Sequence, residues 1–230
     1  MRPLEKDFRQ GLAALALVLD DAQVARLLDY LELIQKWTKV YNLTAVRDPS
    51  EMLTHHLLDS LAVIAPLRTQ LDALRAVLPT QEEGVAVAAP HAGLRLLDVG
   101  SGAGLPGVVI AICCPELSVD CVDTVAKKAA FIRQVAATLR LSNLHGLHAR
   151  VEGLTEKYDV ISSRAFASLS DFTRWSAGAL AGRGIWLAMK GKYPAEEVAA
   201  LPVDVTVFHV EQLTVPGLAA ERCIVWMRKP

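Results

Sequence analysis

The chain has 230 residues, enough for one large domain or a compact domain with an appendage. With 52% hydrophobic and 21% charged residues it has the composition of a globule, and a net charge of −1 excludes a polybasic nucleic-acid coat while leaving room for a local basic face. Its four cysteines show no zinc spacing, the start MRPLEKDFRQ lacks the apolar core of a signal peptide, and the longest apolar run, Val108 to Cys114, is seven residues. A bilayer needs roughly 20, so the expectation is a cytoplasmic protein with reduced thiols and no membrane partner.

Three helical patterns open the chain. Leu4, Phe8, Leu12 and Leu15 recur at helical spacing. Asp20 or Asp21 caps a second helix whose buried face carries Val24, Leu27, Leu28 and Leu31. Asp48-Pro49-Ser50-Glu51 supplies a cap, a proline at the first helical position and a glutamate one turn on. The third helix then buries Leu53, Leu57, Leu61 and Ile64, and Pro66 ends it. Residues 1–78 thus form a helical region that packs on the rest of the chain. Residues 79–93 lack periodicity, hold two Pro and two Gly, and mark a loop.

Over residues 94–230 the rhythm changes to short apolar strands alternating with helices. Strands are predicted at 96–99, 119–123, 144–149, 158–163 and 185–190, and helices after the first glycine turn, at 126–141, at 172–180 and after Pro194. Such alternation builds a parallel sheet of βαβ units. The closing strands, 203–210 and 222–228, have no helix between them and should pair antiparallel.

The segment that carries chemistry is Leu96-Leu97-Asp98-Val99-Gly100-Ser101-Gly102-Ala103-Gly104-Leu105-Pro106-Gly107. It leaves a strand and enters a helix, and its glycines permit positive φ and close approach of a ligand to the backbone. Gly102, Gly104 and Gly107 match GxGxxG, so a dinucleotide is one reading. The other is the first motif of class I S-adenosylmethionine-dependent methyltransferases, which the strand–Asp98-x-Gly100-x-Gly102-x-Gly104 pattern resembles. Asp123, at the tip of the next strand, can accept hydrogen bonds from ribose hydroxyls in either case and does not discriminate. The C-terminal hairpin does, because class I methyltransferases typically finish with one.

The resemblance then narrows. The string Asp98 to Gly107 is similar to that of the bacterial small-subunit ribosomal RNA methyltransferase G family, also called glucose-inhibited division protein B. Further stretches match it in order: Lys39 to Ala45, His55 to Leu61, Asp123 to Lys128, Arg150 to Glu152, Ser163 to Ala167, and Lys190-Gly191. Segment 79–93 is longer than in that family. The resemblance implies a Rossmann-like α/β sheet, mostly parallel with a C-terminal antiparallel hairpin and an N-terminal helical extension. It also implies methylation of guanine N7 in small-subunit (16S) ribosomal RNA, with S-adenosylmethionine as cofactor. Gly100, Gly102 and Leu105 would lie against its methionine and ribose parts, Asp123 on the ribose, Val151 and Glu152 at the adenine, and Arg164 nearby.

Taken alone, Glu152 reads as a solvated loop acid, and Arg164 has a structural ion pair as its alternative. Lys36, Lys39, Arg47, Lys190 and Lys192 are candidates for phosphate contacts, while Arg133 and Arg140 read as a solvated face. The six histidines offer no metal site; His55, His56 and Asp59 read as a hydrogen-bonded helix surface, and the four tryptophans as core. No general base stands out, and guanine N7 requires none. The expected partner is small-subunit ribosomal RNA, within the ribosomal subunit, met by a monomer. A nucleotide-dependent oxidoreductase and a non-catalytic ribosome-assembly factor remain open at this point.

Overall fold

The computed structural model describes residues 4–76 and 93–230. The predicted 79–93 loop, Gly93 apart, lies outside the described residues.

Among the described residues, seven strands form one sheet: β1 (Arg95–Val99), β2 (Ser118–Asp123), β3 (Leu144–His148), β4 (Tyr158–Arg164), β5 (Leu180–Lys190), β6 (Thr206–Leu213) and β7 (Arg222–Arg228). Their order is β3-β2-β1-β4-β5-β7-β6. The first five run parallel, and β7 inserts antiparallel between β5 and β6. Register decides where the site falls. Val99 faces Val122 on one side and Ser163 on the other, so the loops leaving β1, β2 and β4 emerge together at one edge. That edge is the carboxyl end of the strands, where open α/β sheets bind ligands.

The helices are α1 (Glu5–Ala14), α2 (Asp21–Tyr41), α3 (Pro49–Met52), α4 (Asp59–Leu61), α5 (Ile64–Ala76), α6 (Gly107–Cys113), α7 (Ala126–Leu139), α8 (Leu169–Ser176) and α9 (Ala195–Ala199). Asp20, not Asp21, caps α2: its carboxylate accepts the Gln23 amide at 2.7 Å while its own amide donates to the Gln23 side chain. A π-helical turn over Leu53–Leu58 joins α3 to α4. Pro66 does not end a helix, as expected from sequence; it sits in the first turn of α5, where its missing N–H has no intrahelical acceptor to lose. Helix α8 starts and stops earlier than predicted, because Ser168 caps it by accepting the Asp171 amide and Leu180 already belongs to β5. The β6 strand is displaced from the predicted 203–210, with Val203 fully exposed before it.

Side chains alternate between two cores. Leu96, Val119, Val160 and Trp226 share one with Phe8, Leu27, Ile34, Leu57 and Ile64 of the N-terminal helices and with α6 and α7. Leu97, Val122, Ile161, Trp186 and Val225 share the other with α8. Polar ties reinforce the first. The Gln23 amide group donates to the Ile112 carbonyl at 3.0 Å, Arg68 to the Cys113 carbonyl at 2.8 Å, and the buried Tyr30 hydroxyl to the Ala103 carbonyl at 2.6 Å. The last bond fixes the glycine turn itself from the helical side.

Candidate active site

The turn after β1 is built on left-handed backbone. Gly100 has φ +65°, and a Cβ there would run into the Phe166 ring. Gly104 has φ +88°, and a Cβ there would collide with Val108.

Asp98 is fully buried beneath the turn. Its carboxylate accepts the Gly107 amide at 3.1 Å and the Ser162 hydroxyl at 2.8 Å, tying β1 to the start of α6 and to β4. Burial raises its pKa to about 6 against the pull of those two bonds. The Asp98 carboxyl group thus already takes the Gly107 amide at the helix start where a dinucleotide's pyrophosphate would sit. The GxGxxG reading loses one of its phosphate donors here.

Asp123, also buried, is committed more than its position at a strand tip suggests. One oxygen accepts the Gly102 amide at 3.1 Å and lies 3.4 Å from Lys128; the other accepts the Val125 amide at 2.9 Å. It stitches the glycine turn to the tip of β2, and each carboxylate oxygen keeps a further lone pair.

Two cavities adjoin at this edge, and Gly100 and Ala165 line both. The first, about 520 Å³, is walled by Thr44, His56, Asp59, Gly102, Leu105, Arg164, Lys190 and Arg222 among others. The second, about 510 Å³, is walled by Asp123, Val151, Glu152, Phe166 and Trp175 among others. All seven sequence-predicted site residues thus converge: Gly100 on both, Gly102, Leu105 and Arg164 on the first, Asp123, Val151 and Glu152 on the second. Ala165, at the junction, has φ +51°, a left-handed conformation that costs a non-glycine residue on the order of 1 kcal/mol.

Arg164 lines the first cavity and also makes the ion pair weighed against a ligand role. Its Nη1 donates to Asp59 at 2.8 Å and to the His55 carbonyl at 3.0 Å. The other Asp59 oxygen accepts Arg222 Nε at 2.8 Å. One buried carboxylate on α4 therefore holds a guanidinium from β4 and another from β7. His56 is buried, with Nε2 2.9 Å from the Thr44 hydroxyl, and burial plus the nearby Arg164 lower its pKa to about 4. It is neutral at physiological pH. The His56 Nδ1 and the Ser101 hydroxyl are buried without a hydrogen-bond partner among the described residues.

Several sequence readings change. Lys190 is not free for phosphate: it pairs with Glu197 at 2.8 Å and donates to the Ala167 carbonyl at 3.0 Å. Arg47 is held by the Thr38 carbonyl and the Asn42 side chain, and Arg133 donates to the Gly146 carbonyl rather than lying wholly in solvent. Lys36, Lys39 and Lys192 stay exposed. Trp186 and Trp226 are core, but Trp175 is part-exposed in the second cavity, edge-to-face with Phe166 at 5.8 Å. Sequence reasoning missed Phe166, Trp175 and Arg222 as site walls; only the matched stretch Ser163–Ala167 pointed toward the first of them. Among the described residues no helix is long and apolar enough to cross a membrane.

A parallel sheet closed by an antiparallel last strand, with a glycine turn after β1 and a carboxylate at the β2 tip, defines a class I methyltransferase fold. Two solved structures share that fold. TrmN from Thermus thermophilus gives a TM-score of 0.53 at 19% identity, covering 77% of this chain and 53% of that one. Coclaurine N-methyltransferase bound to N-methylheliamine and SAH gives 0.51 at 13%, covering 92% and 73%. Sequence comparison is more specific. The sequence model of the family rRNA small subunit methyltransferase G matches residues 23–77 and 83–225. Ribosomal RNA small subunit methyltransferase G of Albidiferax ferrireducens is 73% identical over 229 residues, 100% of this chain and 99% of that protein. Its namesake in Acidovorax ebreus is 66% identical over 225 residues, 98% and 95% respectively. The chain belongs to the rRNA small subunit methyltransferase G family.

Proposed function

We propose that this protein methylates N7 of a guanine in small-subunit ribosomal RNA, acting as a monomer in the cytoplasm on RNA held in the ribosomal subunit. Membership of the family makes it an S-adenosylmethionine-dependent methyltransferase of small-subunit ribosomal RNA. The guanine, its N7 and the subunit context are our reading.

The observation that carries the reading is the pair of cavities meeting at Gly100 and Ala165. When bound, S-adenosylmethionine supplies a sulfonium methyl group, an electrophile that needs an in-line nucleophile about 3 Å away. Asp123 has lone pairs left for the ribose hydroxyls, the Val151–Glu152 segment for the adenine edge, and Phe166 and Trp175 for its faces. Leu105, the Gly100–Gly102 backbone and Arg164 face the other cavity, which then takes the methionine end and the acceptor base. The cofactor carries no phosphate, which agrees with Asp98 closing the helix start.

An N7 acceptor has a free lone pair and gives up no proton before attack. The wall suits that requirement: its buried imidazole, His56, is too weak a base at a pKa of about 4 to take a proton at neutral pH. Catalysis then rests on holding two reactants in line, in a niche whose walls are fixed by Asp98, Asp123 and Asp59. A net charge of −1 with only local lysines suits a target presented by a shaped ribonucleoprotein better than loose RNA.

The test is incubation of pure protein with methyl-labelled cofactor and small ribosomal subunits, then borohydride and aniline treatment, which cuts RNA at N7-methylguanosine. Label that maps to a single cut supports the reading. Label at an uncut position overturns it.

A further inference from the structure

The two guanidiniums bridged by Asp59 carry more charge than the bridge needs. Among the described Asp, Glu, Lys and Arg side chains that line the first cavity, one is acidic, Asp59, and three are basic, Arg164, Lys190 and Arg222. Lys190 is matched by Glu197 at 2.8 Å, and either arginine alone would neutralise Asp59. One positive charge is left over on a wall whose two arginine side chains are only 20% and 23% exposed. A surplus cation in a part-buried place costs free energy unless an anion joins it.

Hydrogen-bond donors are unspent as well. A guanidinium presents five N–H groups in a planar fork. Arg164 uses its Nη1, on Asp59 and the His55 carbonyl. Arg222 uses Nε on Asp59 and Nη1 on the Glu221 carbonyl, each at 2.8 Å. The Nη2 of each arginine has no partner among the described residues. Asp59, buried on α4, takes both side chains at 2.8 Å, so the pair is assembled before any ligand arrives. Little rotamer freedom is left to lose on binding.

Charge decides what the pair faces. A methyl group moved from sulfonium to N7 with no proton lost carries its positive charge onto the purine, so a guanidinium against that ring would oppose the reaction. The methionine end of the cofactor is a zwitterion whose own ammonium balances its carboxylate. As proposed, it lies toward Gly100 and Ala165, where the cavities meet, whereas Arg222 enters from β7, beyond β4 and β5 in the sheet. The RNA backbone is the anion that remains, and forked donors suit the paired oxygens of a phosphate. We propose that Arg222, with Arg164 beside it, binds the phosphodiester of the target nucleotide, on a mount that Asp59 holds rigid. This rests on small-subunit ribosomal RNA being the substrate, and it adds which group of that RNA the first cavity grips.

The test compares the full-length wild type with Arg222→Gln and Arg222→Lys. It measures binding to small ribosomal subunits between roughly 50 and 200 mM salt, S-adenosylhomocysteine affinity by calorimetry, and melting temperature. Arg222→Gln should weaken subunit binding by roughly 5- to 50-fold and flatten its log–log salt dependence by about 0.7, the share of one single-strand phosphate contact. Arg222→Lys keeps the charge but not the fork, so it should keep the wild-type slope and lose less affinity. S-adenosylhomocysteine affinity should change less than about threefold in both. A purely structural arginine predicts another pattern: a smaller folded fraction lowers affinity alike at every salt concentration and leaves the slope untouched. The proposal is overturned by an unchanged slope in Arg222→Gln or by a slope lost equally in Arg222→Lys. A parallel fall in S-adenosylhomocysteine affinity also overturns it, and assigns the pair to the methionine carboxylate. Should the slope flatten as expected while the wild type places its methyl elsewhere than guanine N7, the phosphate site stands and the N7 reading falls.

Discussion

Replacing Asp123 by alanine tests the cofactor role at the residue where structure and ligand compete for the same oxygens. The side chain is 6% exposed and accepts the Gly102 and Val125 amides at 3.1 and 2.9 Å. Removing it strands the N–H of Val125, the residue before α7, about 1 kcal/mol, and the Gly102 N–H, about 1–2 kcal/mol more. For a chain of this length each kcal/mol moves the melting temperature by roughly 2–4 °C, so a drop of about 4–12 °C is expected. Two charge-assisted bonds to the ribose, each worth about 1.5–3 kcal/mol and less where water competes, add a rise in the S-adenosylmethionine dissociation constant of roughly ten- to several-hundred-fold. For comparison, Lys128→Ala removes the 3.4 Å ion pair and leaves both amide bonds to Asp123 intact; Lys128 also lines the second cavity, but as a part-exposed lysine it should change affinity less than about threefold. Calorimetric titration and thermal melting on the same samples separate the two effects. A lower melting temperature with unchanged affinity would mean that Asp123 only builds the turn and never touches the ribose.

Three further outcomes are expected. Asp59→Ala leaves the Arg164 and Arg222 guanidiniums facing each other without their shared carboxylate and should cost about 3–5 kcal/mol, read by denaturant unfolding; a loss under about 1 kcal/mol refutes the bridge. The folded-state pKa of His56 lies near 4, below the unfolded value of about 6.5, so its contribution is present above pH 6.5 and lost as pH falls toward 4. Asp98, raised to about 6, has the opposite sign: its stabilisation is full at low pH and lost as pH climbs past 6. The stability gap between His56→Gln and wild type should therefore narrow between pH 6.5 and 4, and a constant gap contradicts the shift. We also propose that residues 94–230 expressed alone lose cooperative melting, because Leu96, Val119 and Ile110 share their core with Phe8, Leu27 and Leu57; a cooperative, fully active fragment refutes this.

The parallel sheet, the hairpin and the glycine turn were legible because each rests on local signals: short apolar runs, Asp98 before spaced glycines, and no crossover helix between 210 and 222. Boundaries set by a single cap or proline were not. Pro66 reads as a stop in sequence but sits where a helix starts, since only the turn at Ala62 and Val63 tells the two apart. In the site, the turn and the strand-tip acid were visible, whereas the partners of Asp59 were not. Arg222 lies 163 residues away, and no periodicity links positions that only the sheet order brings together. Lys190 misled for the same reason. Its charge is plain in the sequence, but Glu197 across the following turn is recognisable as its partner only once Pro194 has folded the chain back.

The position of β7 has a consequence for how the molecule is made. The last of the seven strands to be synthesised is an interior strand, and β6 has no neighbour in the sheet until β7 slides in beside it. Arg222, at the start of that strand, also completes the charge bridge on Asp59. A nascent chain whose residues from 222 onward still occupy the exit tunnel therefore has neither its far sheet edge nor a finished wall to its first cavity. Sheet and cavity wall therefore reach their final form in one step, when β7 docks between β5 and β6.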